Sequence, residues 1–324
     1  MTDFSYLLSK IKDAPIINDP FDHIYIENFF DENDFKKIVQ SDAINTHSYK
    51  SNEEMFQSLF NHGFKSIDFP GCINNVDDYC EWHLTKNSSK KMNTACESFG
   101  MTLRLMNPAS HLLISLKNFL ESSDFNQTIA AKLDIPMNQT YSDHGIQKYL
   151  DGYEISPHPD IRKKALTYMV NINPNPSSHL IDHHTQYCVF NNRFQYIEEF
   201  WRANTEYDRC WVPWDWTETK FIQNVNNSFL MFSPSNKTLH AIKASYDHLV
   251  GQRTQLYGNL WYENSPSLDV IEWEDLEITP SHDNQSLSTN NKKMSSFSAM
   301  KQKLKSKISG ILPDRNYSNI RNKD

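Results

Sequence analysis

Residues 149–160 read Tyr-Leu-Asp-Gly-Tyr-Glu-Ile-Ser-Pro-His-Pro-Asp, and the last three, His158-Pro159-Asp160, carry the decisive chemistry. Positions i and i+2 of an extended chain project to the same side, so this imidazole and carboxylate can face one ion from a strand end. Pro159 has no N–H to give to a ladder, which puts the pair at a strand edge or exit. With thirteen His and forty Asp/Glu in 324 residues, a His-x-Asp triplet is within reach of chance. Its meaning therefore depends on residues further along the chain.

The first of these stretches is Asn227-Ser-Phe-Leu-Met-Phe-Ser-Pro-Ser-Asn-Lys-Thr-Leu-His240-Ala-Ile-Lys-Ala244, an apolar strand, a polar turn and a histidine opening another strand. Thirteen residues after His240, the run Gly251-Gln-Arg253-Thr-Gln-Leu-Tyr-Gly-Asn-Leu-Trp261 begins an otherwise apolar strand with a lone cation. A buried guanidinium there wants an anion. His158, Asp160 and His240 would offer an ion two imidazoles and one carboxylate with open positions, a donor set suited to non-haem Fe(II).

These residues resemble the 2-oxoglutarate- and Fe(II)-dependent dioxygenase superfamily, its prolyl 4-hydroxylase-like branch in particular, over about residues 145–262. Pro20-Phe-Asp-His-Ile-Tyr-Ile-Glu-Asn-Phe-Phe30 is similar to that branch as well. The resemblance implies a double-stranded β-helix with His158, Asp160 and His240 as iron ligands. It implies Arg253 as the clamp on the distal carboxylate of 2-oxoglutarate, a bidentate task for a planar guanidinium, and Tyr149 as a hydroxyl bonded to that carboxylate. The implied reaction decarboxylates the cosubstrate to succinate and CO2 while hydroxylating a C–H bond of a peptide or small molecule, with ascorbate as a candidate reductant. Asp160 argues against a halogenating relative, because a carboxylate fills the position that halide would need. The step from His240 to Arg253 is longer than is usual in the family, so an insertion is expected in that turn. Two other readings stay open: a non-catalytic jelly-roll binding protein docked through a basic tail, and a cupin-like metal enzyme that does not use 2-oxoglutarate.

The organisation of the chain fits an all-β core with flanking helices, an α+β protein built on a jelly roll. Short apolar runs at 146–149, 165–172, 186–190, 221–225, 228–232, 240–243 and 254–262, separated by Pro, Asn and Ser turns, read as its strands. Ahead of them come a half-buried strand after Pro20, a helix near 32–40, and a mostly helical region at 52–130. There Phe56, Leu59, Phe60 and Phe64 recur at helical spacing and 109–120 forms a second helix. This gives one dioxygenase domain over 1–280, with helical support at about 20–140, a jelly-roll core at about 141–263, and residues 1–20 as a short lead-in.

The formal charge of −8 is uneven: residues 281–324 hold nine Lys/Arg against three Asp, or +6, leaving −14 for residues 1–280. An acidic body disfavours nucleic acid as a partner. The Ser/Asn/Lys-rich tail is expected to be disordered, except that Phe297, Met300, Leu304, Ile308 and Ile311 outline an amphipathic helix for a weak membrane or protein contact. Five cysteines without a CxxC pair, and no signal peptide at the N-terminus, read as free thiols in a reducing cytoplasm. Asp182-His183-His184 is a rival ligand cluster, and a polar loop is its expected reading. Trp211-Val-Pro-Trp214-Asp-Trp216, between the halves of the metal motif, is expected to pack under a loop, with a place over the barrel mouth as the alternative. No Gly-rich phosphate loop or GxSxG elbow is present.

Overall fold

The structure, a computed structural model, describes residues 2–85 and 95–266. The order of elements is α1 (Tyr6–Asp13), β1 (Ile24–Ile26), α2 (Glu32–Val39), α3 (Asn52–Asn61), β2 (Phe64–Ser66), α4 (Val76–Thr85), β3 (Thr102–Leu105), α5 (His111–Leu120) and α6 (Ser123–Lys132). Then come β4 (Thr140–Tyr149), β5 (Glu154–His158), β6 (Lys164–Asn171), β7 (Thr185–Phe190), α7 (Tyr196–Ala203), β8 (Thr217–Ile222), β9 (Phe229–Phe232), β10 (His240–Lys243) and β11 (Arg253–Tyr262).

One sheet is ordered β1-β9-β6-β11-β4-β3-β2 and the other β5-β10-β7-β8. In both of them every pairing is antiparallel. Strands β4, β6, β9 and β11 belong to the large sheet and β5, β7, β8 and β10 to the small one, so the chain crosses between sheets as it winds. That interleaving of two antiparallel four-strand sets is the jelly roll expected from the sequence.

Period-two alternation sorts the large sheet into two unlike faces. Ile146, Leu166, Tyr168, Val170, Leu256 and Leu260 join one apolar cluster with Leu7, Ile11, Phe56, Leu113, Leu116 and Ile129 from the helices. The intervening positions, among them Gln147, Tyr149, Arg253, Gln255, Tyr257 and Asn259, line a cavity on the inner side. Position 258 also faces the helix side, and glycine fits there because a Cβ would lie 2.4 Å from the Tyr168 ring.

Several expectations are corrected. Residues 1–20 are more than a lead-in: Leu7 and Ile11 bury one face of α1 in the helical core, and Phe4, just ahead of the helix, joins them there. Phe64 opens β2 instead of extending α3, since Gly63 takes φ +91 and ends the helix. The 52–130 region also supplies β3, and β5 forms where no strand was assigned, because a buried strand with Ser156 and Pro157 shows little apolar signal. The five cysteines are free, as expected. The amphipathic segment around 297–311 lies outside the described residues. Among those described, no helix is long and apolar enough to cross a membrane.

Lys148 breaks the pattern on the helix side of β4. It is fully buried, donating to Ile44 O at 3.1 Å and Thr254 Oγ1 at 3.1 Å. Burial pushes its pKa down from 10.5 to about 7. Between those values the unfolded chain holds a proton that the folded chain lacks, so stability should rise with pH, by up to about 1.4 kcal/mol per pH unit for one proton. Urea denaturation from pH 7 to 10 should show this rise in the wild type, and Lys148→Met should flatten it.

Candidate active site

The His158/His240 pair is set by strand register. β10 runs antiparallel to β5 with His240 opposite His158, and the two rings stand 4.3 Å apart. Each ring is oriented from behind. Nδ1 of His158 is 2.8 Å from Ser156 O and Nδ1 of His240 is 3.0 Å from Thr238 O. A carbonyl only accepts, so in both rings Nδ1 carries a proton and Nε2 is the nitrogen turned toward Asp160.

Asp160 completes the group. Its Oδ1 is 3.6 Å from His158 Nε2 and its Oδ2 is 3.7 Å from His240 Nε2. The residue adopts φ +71, a left-handed conformation that an L side chain visits at a cost on the order of 1 kcal/mol. That turn at the strand exit brings its carboxylate back over the imidazoles. Lys164 Nζ donates to Oδ1 at 2.7 Å and the Thr167 hydroxyl to Oδ2 at 2.8 Å. Burial alone would raise the Asp160 carboxyl, but Lys164, then His240 and His158, hold it well below the usual carboxylate range. Burial, with His158 beside it, pushes His240 down to about 3, so its Nε2 is proton-free at neutral pH. Two imidazole nitrogens and an ionised oxygen in a buried corner can hold a divalent ion and leave coordination positions open.

The same cavity, about 390 Å³, reaches Arg253 and Tyr149. Arg253 is 2% exposed at the first position of β11, opposite Tyr149 of β4. Its Nη2 donates to Thr185 Oγ1 at 2.9 Å, its guanidinium lies 4.5 Å from the Tyr149 ring centre, and its Nε has no hydrogen-bond partner among the described residues. None of the ion pairs among those residues involves it. The other cations of the cavity are matched: Arg104 with Asp143 at 2.8 Å, Arg209 with Glu97, and Lys164 with Asp160. A buried, under-bonded guanidinium beside open space suits a carboxylate ligand. Gln147 reinforces this. With its amide oxygen facing Arg104 Nη2 at 2.7 Å, its NH2 donates to the Tyr149 hydroxyl at 2.5 Å, and the tyrosine proton is then available to that ligand.

The sequence missed Lys164, Thr167, Thr185, Arg104 and Gln147. A signal existed in the strand Lys164-Ala-Leu-Thr-Tyr-Met-Val-Asn171, where Thr167 and Asn171 interrupt an apolar run at even spacing. Of the aromatic trio, Trp211 lines the cavity, Trp214 donates to Glu154 Oε1 at 2.7 Å, and Trp216 stacks on Phe194 at 4.6 Å. The rival Asp182-His183-His184 lies in a loop, as expected, but its two histidines are buried. His183 packs edge-on against Tyr246 at 5.0 Å, and Nε2 of His184 meets Ser178 O at 2.8 Å, which buries both rings away from the His158 group.

No family model and no curated protein matches this chain. Solved structures similar to it include a prolyl hydroxylase from Trichoplax adhaerens in complex with a hypoxia inducible factor oxygen degradation domain peptide fragment. It is 12% identical at a TM-score of 0.40 and covers 80% of this chain and 89% of its own. A Pseudomonas putida prolyl-4-hydroxylase is 6% identical at a TM-score of 0.40, covering 80% and 98%. The epimerase SnoN, in complex with Fe3+, alpha ketoglutarate and nogalamycin RO, is 8% identical at a TM-score of 0.38, covering 86% and 96%.

Lys164 is paired with the buried Asp160 at 2.7 Å. Without an ion its ammonium is the close counter-charge of the buried Asp160, and removing one partner of a buried pair costs roughly 3–5 kcal/mol. Lys164→Met should lower the melting temperature of metal-free protein, and Co²⁺ should raise it more in the variant than in the wild type, as scanning calorimetry with and without the ion would show.

Proposed function

We propose that this chain is an Fe(II)- and 2-oxoglutarate-dependent dioxygenase that hydroxylates a C–H bond of a peptide or small molecule. The observation that carries the reading is the shared cavity: the His158, Asp160 and His240 group opens into the same space as an Arg253 guanidinium that lacks an acidic partner among the described residues. His158, Asp160 and His240 would hold the iron, and Arg253 with Tyr149 the distal carboxylate of 2-oxoglutarate. Bound together with O2, iron and 2-oxoglutarate supply an oxidative decarboxylation to succinate and CO2 that drives substrate oxidation.

The protein's part is binding, orientation and charge. The carbonyls of Ser156 and Thr238 fix both imidazole tautomers, Thr167 steers one carboxylate oxygen, and Thr185 aims the guanidinium. Burial of Arg253 and Tyr149 excludes water from the anion, which strengthens its pairing. Trp211 and the Arg209–Glu97 pair line the substrate side of the cavity. The free cysteines fit a reducing compartment such as the cytoplasm.

Purified protein given Fe(II), ascorbate and 2-oxoglutarate should form succinate slowly without substrate, and His158→Ala should abolish it. Loss of a buried hydrogen-bonded charge costs about 2–5 kcal/mol, so Arg253→Ala should raise the 2-oxoglutarate KM by roughly 30-fold or more. Turnover that ignores Arg253 would indicate a cupin-like metal enzyme using no 2-oxoglutarate.

A further inference from the structure

Arg104 of β3 lies across the inner face of β4, and a glycine makes room for it. Asp143, Gly145, Gln147 and Tyr149 alternate onto that face, with Arg104 opposite Gln147. A Cβ at position 145 would stand 3.1 Å from both Cδ and Nε of Arg104, so glycine is what lets this side chain lie flat. From there the guanidinium uses two edges at once. Its Nη1 and Nη2 donate to the two oxygens of Asp143 at 2.8 and 3.2 Å, and its Nε and Nη2 meet the Gln147 amide at 3.1 and 2.7 Å.

A guanidinium has donors only, and that fixes how the amide stands. The Gln147 oxygen must face Arg104, so its NH2 donates to the Tyr149 hydroxyl at 2.5 Å. This bond takes a lone pair of the phenol oxygen and leaves the phenol proton unspent. In this arrangement the Tyr149 O–H has no acceptor among the described residues, although Tyr149 is buried. Arg253, whose guanidinium lies 4.5 Å from the centre of the same ring, has an Nε that is equally unpaired among them. Two buried donors without acceptors thus belong to one pair of touching residues, and each is costly until an acceptor arrives.

We propose that Asp143, Arg104 and Gln147 are positioning residues that make the Tyr149 hydroxyl an obligate donor to the distal carboxylate of 2-oxoglutarate, given that Arg253 and Tyr149 hold that carboxylate as assigned above. A tyrosine and a glutamine left to themselves can exchange donor and acceptor roles, and one of the two arrangements turns the phenol proton away from the anion. Arg104 removes the choice by occupying the amide oxygen. Asp143, by binding the other edge of the guanidinium, keeps Arg104 on Gln147 and out of the space the anion needs. The end of the cavity around Arg253 and Tyr149 then presents donors to an acceptor-only ligand.

The test is equilibrium binding, which needs no turnover: calorimetric titration of 2-oxoglutarate into full-length, Mn²⁺-loaded protein. Gln147→Glu keeps a partner for Arg104 but offers the phenol only acceptors, which draws its proton off the cosubstrate. Tyr149→Phe and Gln147→Glu should each raise the 2-oxoglutarate Kd by roughly 10-fold or more, the worth of a hydrogen bond to a charged group. Repulsion from the added charge would act in either background, so its share is read from the Tyr149→Phe protein, where Gln147→Glu should cost no more than about 3-fold. Arg104→Lys keeps the charge and the pairing with Asp143 but has no second edge for the amide. It should raise Kd by about 3-fold, an effect that also vanishes in the Tyr149→Phe background, and it decides the matter alone if Gln147→Glu does not fold. Wild-type affinity in these variants, or equal losses with and without the Tyr149 hydroxyl, overturns the relay while leaving the cavity's assignment intact if Arg253→Ala still abolishes binding. A wild type that binds no 2-oxoglutarate overturns that assignment and the relay with it.

Discussion

The geometry of the candidate site depends on one cross-strand pair, His158 opposite His240. Because side chains alternate along a strand, a one-residue slip of β10 would turn His240 outward and bring Ala241 in. Packing on both sides of the small sheet forbids it. Leu239 and Ala241 cluster with Cys188 and Trp214, whereas Ile242 packs with Tyr149, Tyr153 and Ile155. His240 is also the central member of a row, flanked by His158 on β5 and Tyr187 on β7, with Phe232 edge-on at 5.0 Å. Hydrophobic sorting thus does the positioning that the chemistry needs, and the two backbone carbonyls finish it by fixing the tautomers.

The second constraint is charge in a space with little water. Jelly-roll interiors are ordinarily filled with apolar side chains, yet the inner face of this large sheet carries Gln147, Thr167, Asn171, Arg253, Gln255 and Asn259. Most of them satisfy one another, as in the Gln255 to Asn171 bond of 2.7 Å and the Asn171 to Gln223 O bond of 2.8 Å. Arg253 is the exception, and the helix-side face, closely packed with Leu, Ile and Phe, offsets its desolvation. A buried cation kept in this condition is stabilised fully only when an anion arrives, which is what the proposed carboxylate ligand would supply.

The jelly roll and the His158, Asp160 and His240 group were legible in the sequence for one reason: strands declare themselves by period-two patterning, and His-x-Asp by two side chains on one side of a strand exit. Seven strand assignments overlap β4, β6, β7, β8, β9, β10 and β11. What stayed hidden is what depends on partners far apart in the chain. Lys164 reads as an ordinary solvated lysine until the fold puts it on Asp160, and α1 reads as a lead-in until α6 and the sheet cover Leu7 and Ile11. His183 and His184 look polar by composition, but tertiary packing buries them. Lys148 likewise gives no local sign that it will be fully buried.

The longer step from His240 to Arg253 turns out to be structure with consequences of its own. The 244–252 loop sends the Tyr246 hydroxyl to Tyr149 O and receives the Arg253 N–H on that same hydroxyl at 3.0 Å. Gln252, just ahead of Arg253, donates to His248 O at 2.7 Å and accepts from Thr46 at 2.7 Å. The loop therefore touches both Arg253 and Tyr149 through one tyrosine, and it is anchored to α4 through His248 on the Asp151 N–H and Asp151 on His83. Arg253 must be held against its own tendency to seek water, and a strand end alone would fray. A loop pinned at Tyr246 and Gln252 supplies the missing rigidity, whereas the His158–His240 pair is held separately, by the pairing of β10 with β5 and β7.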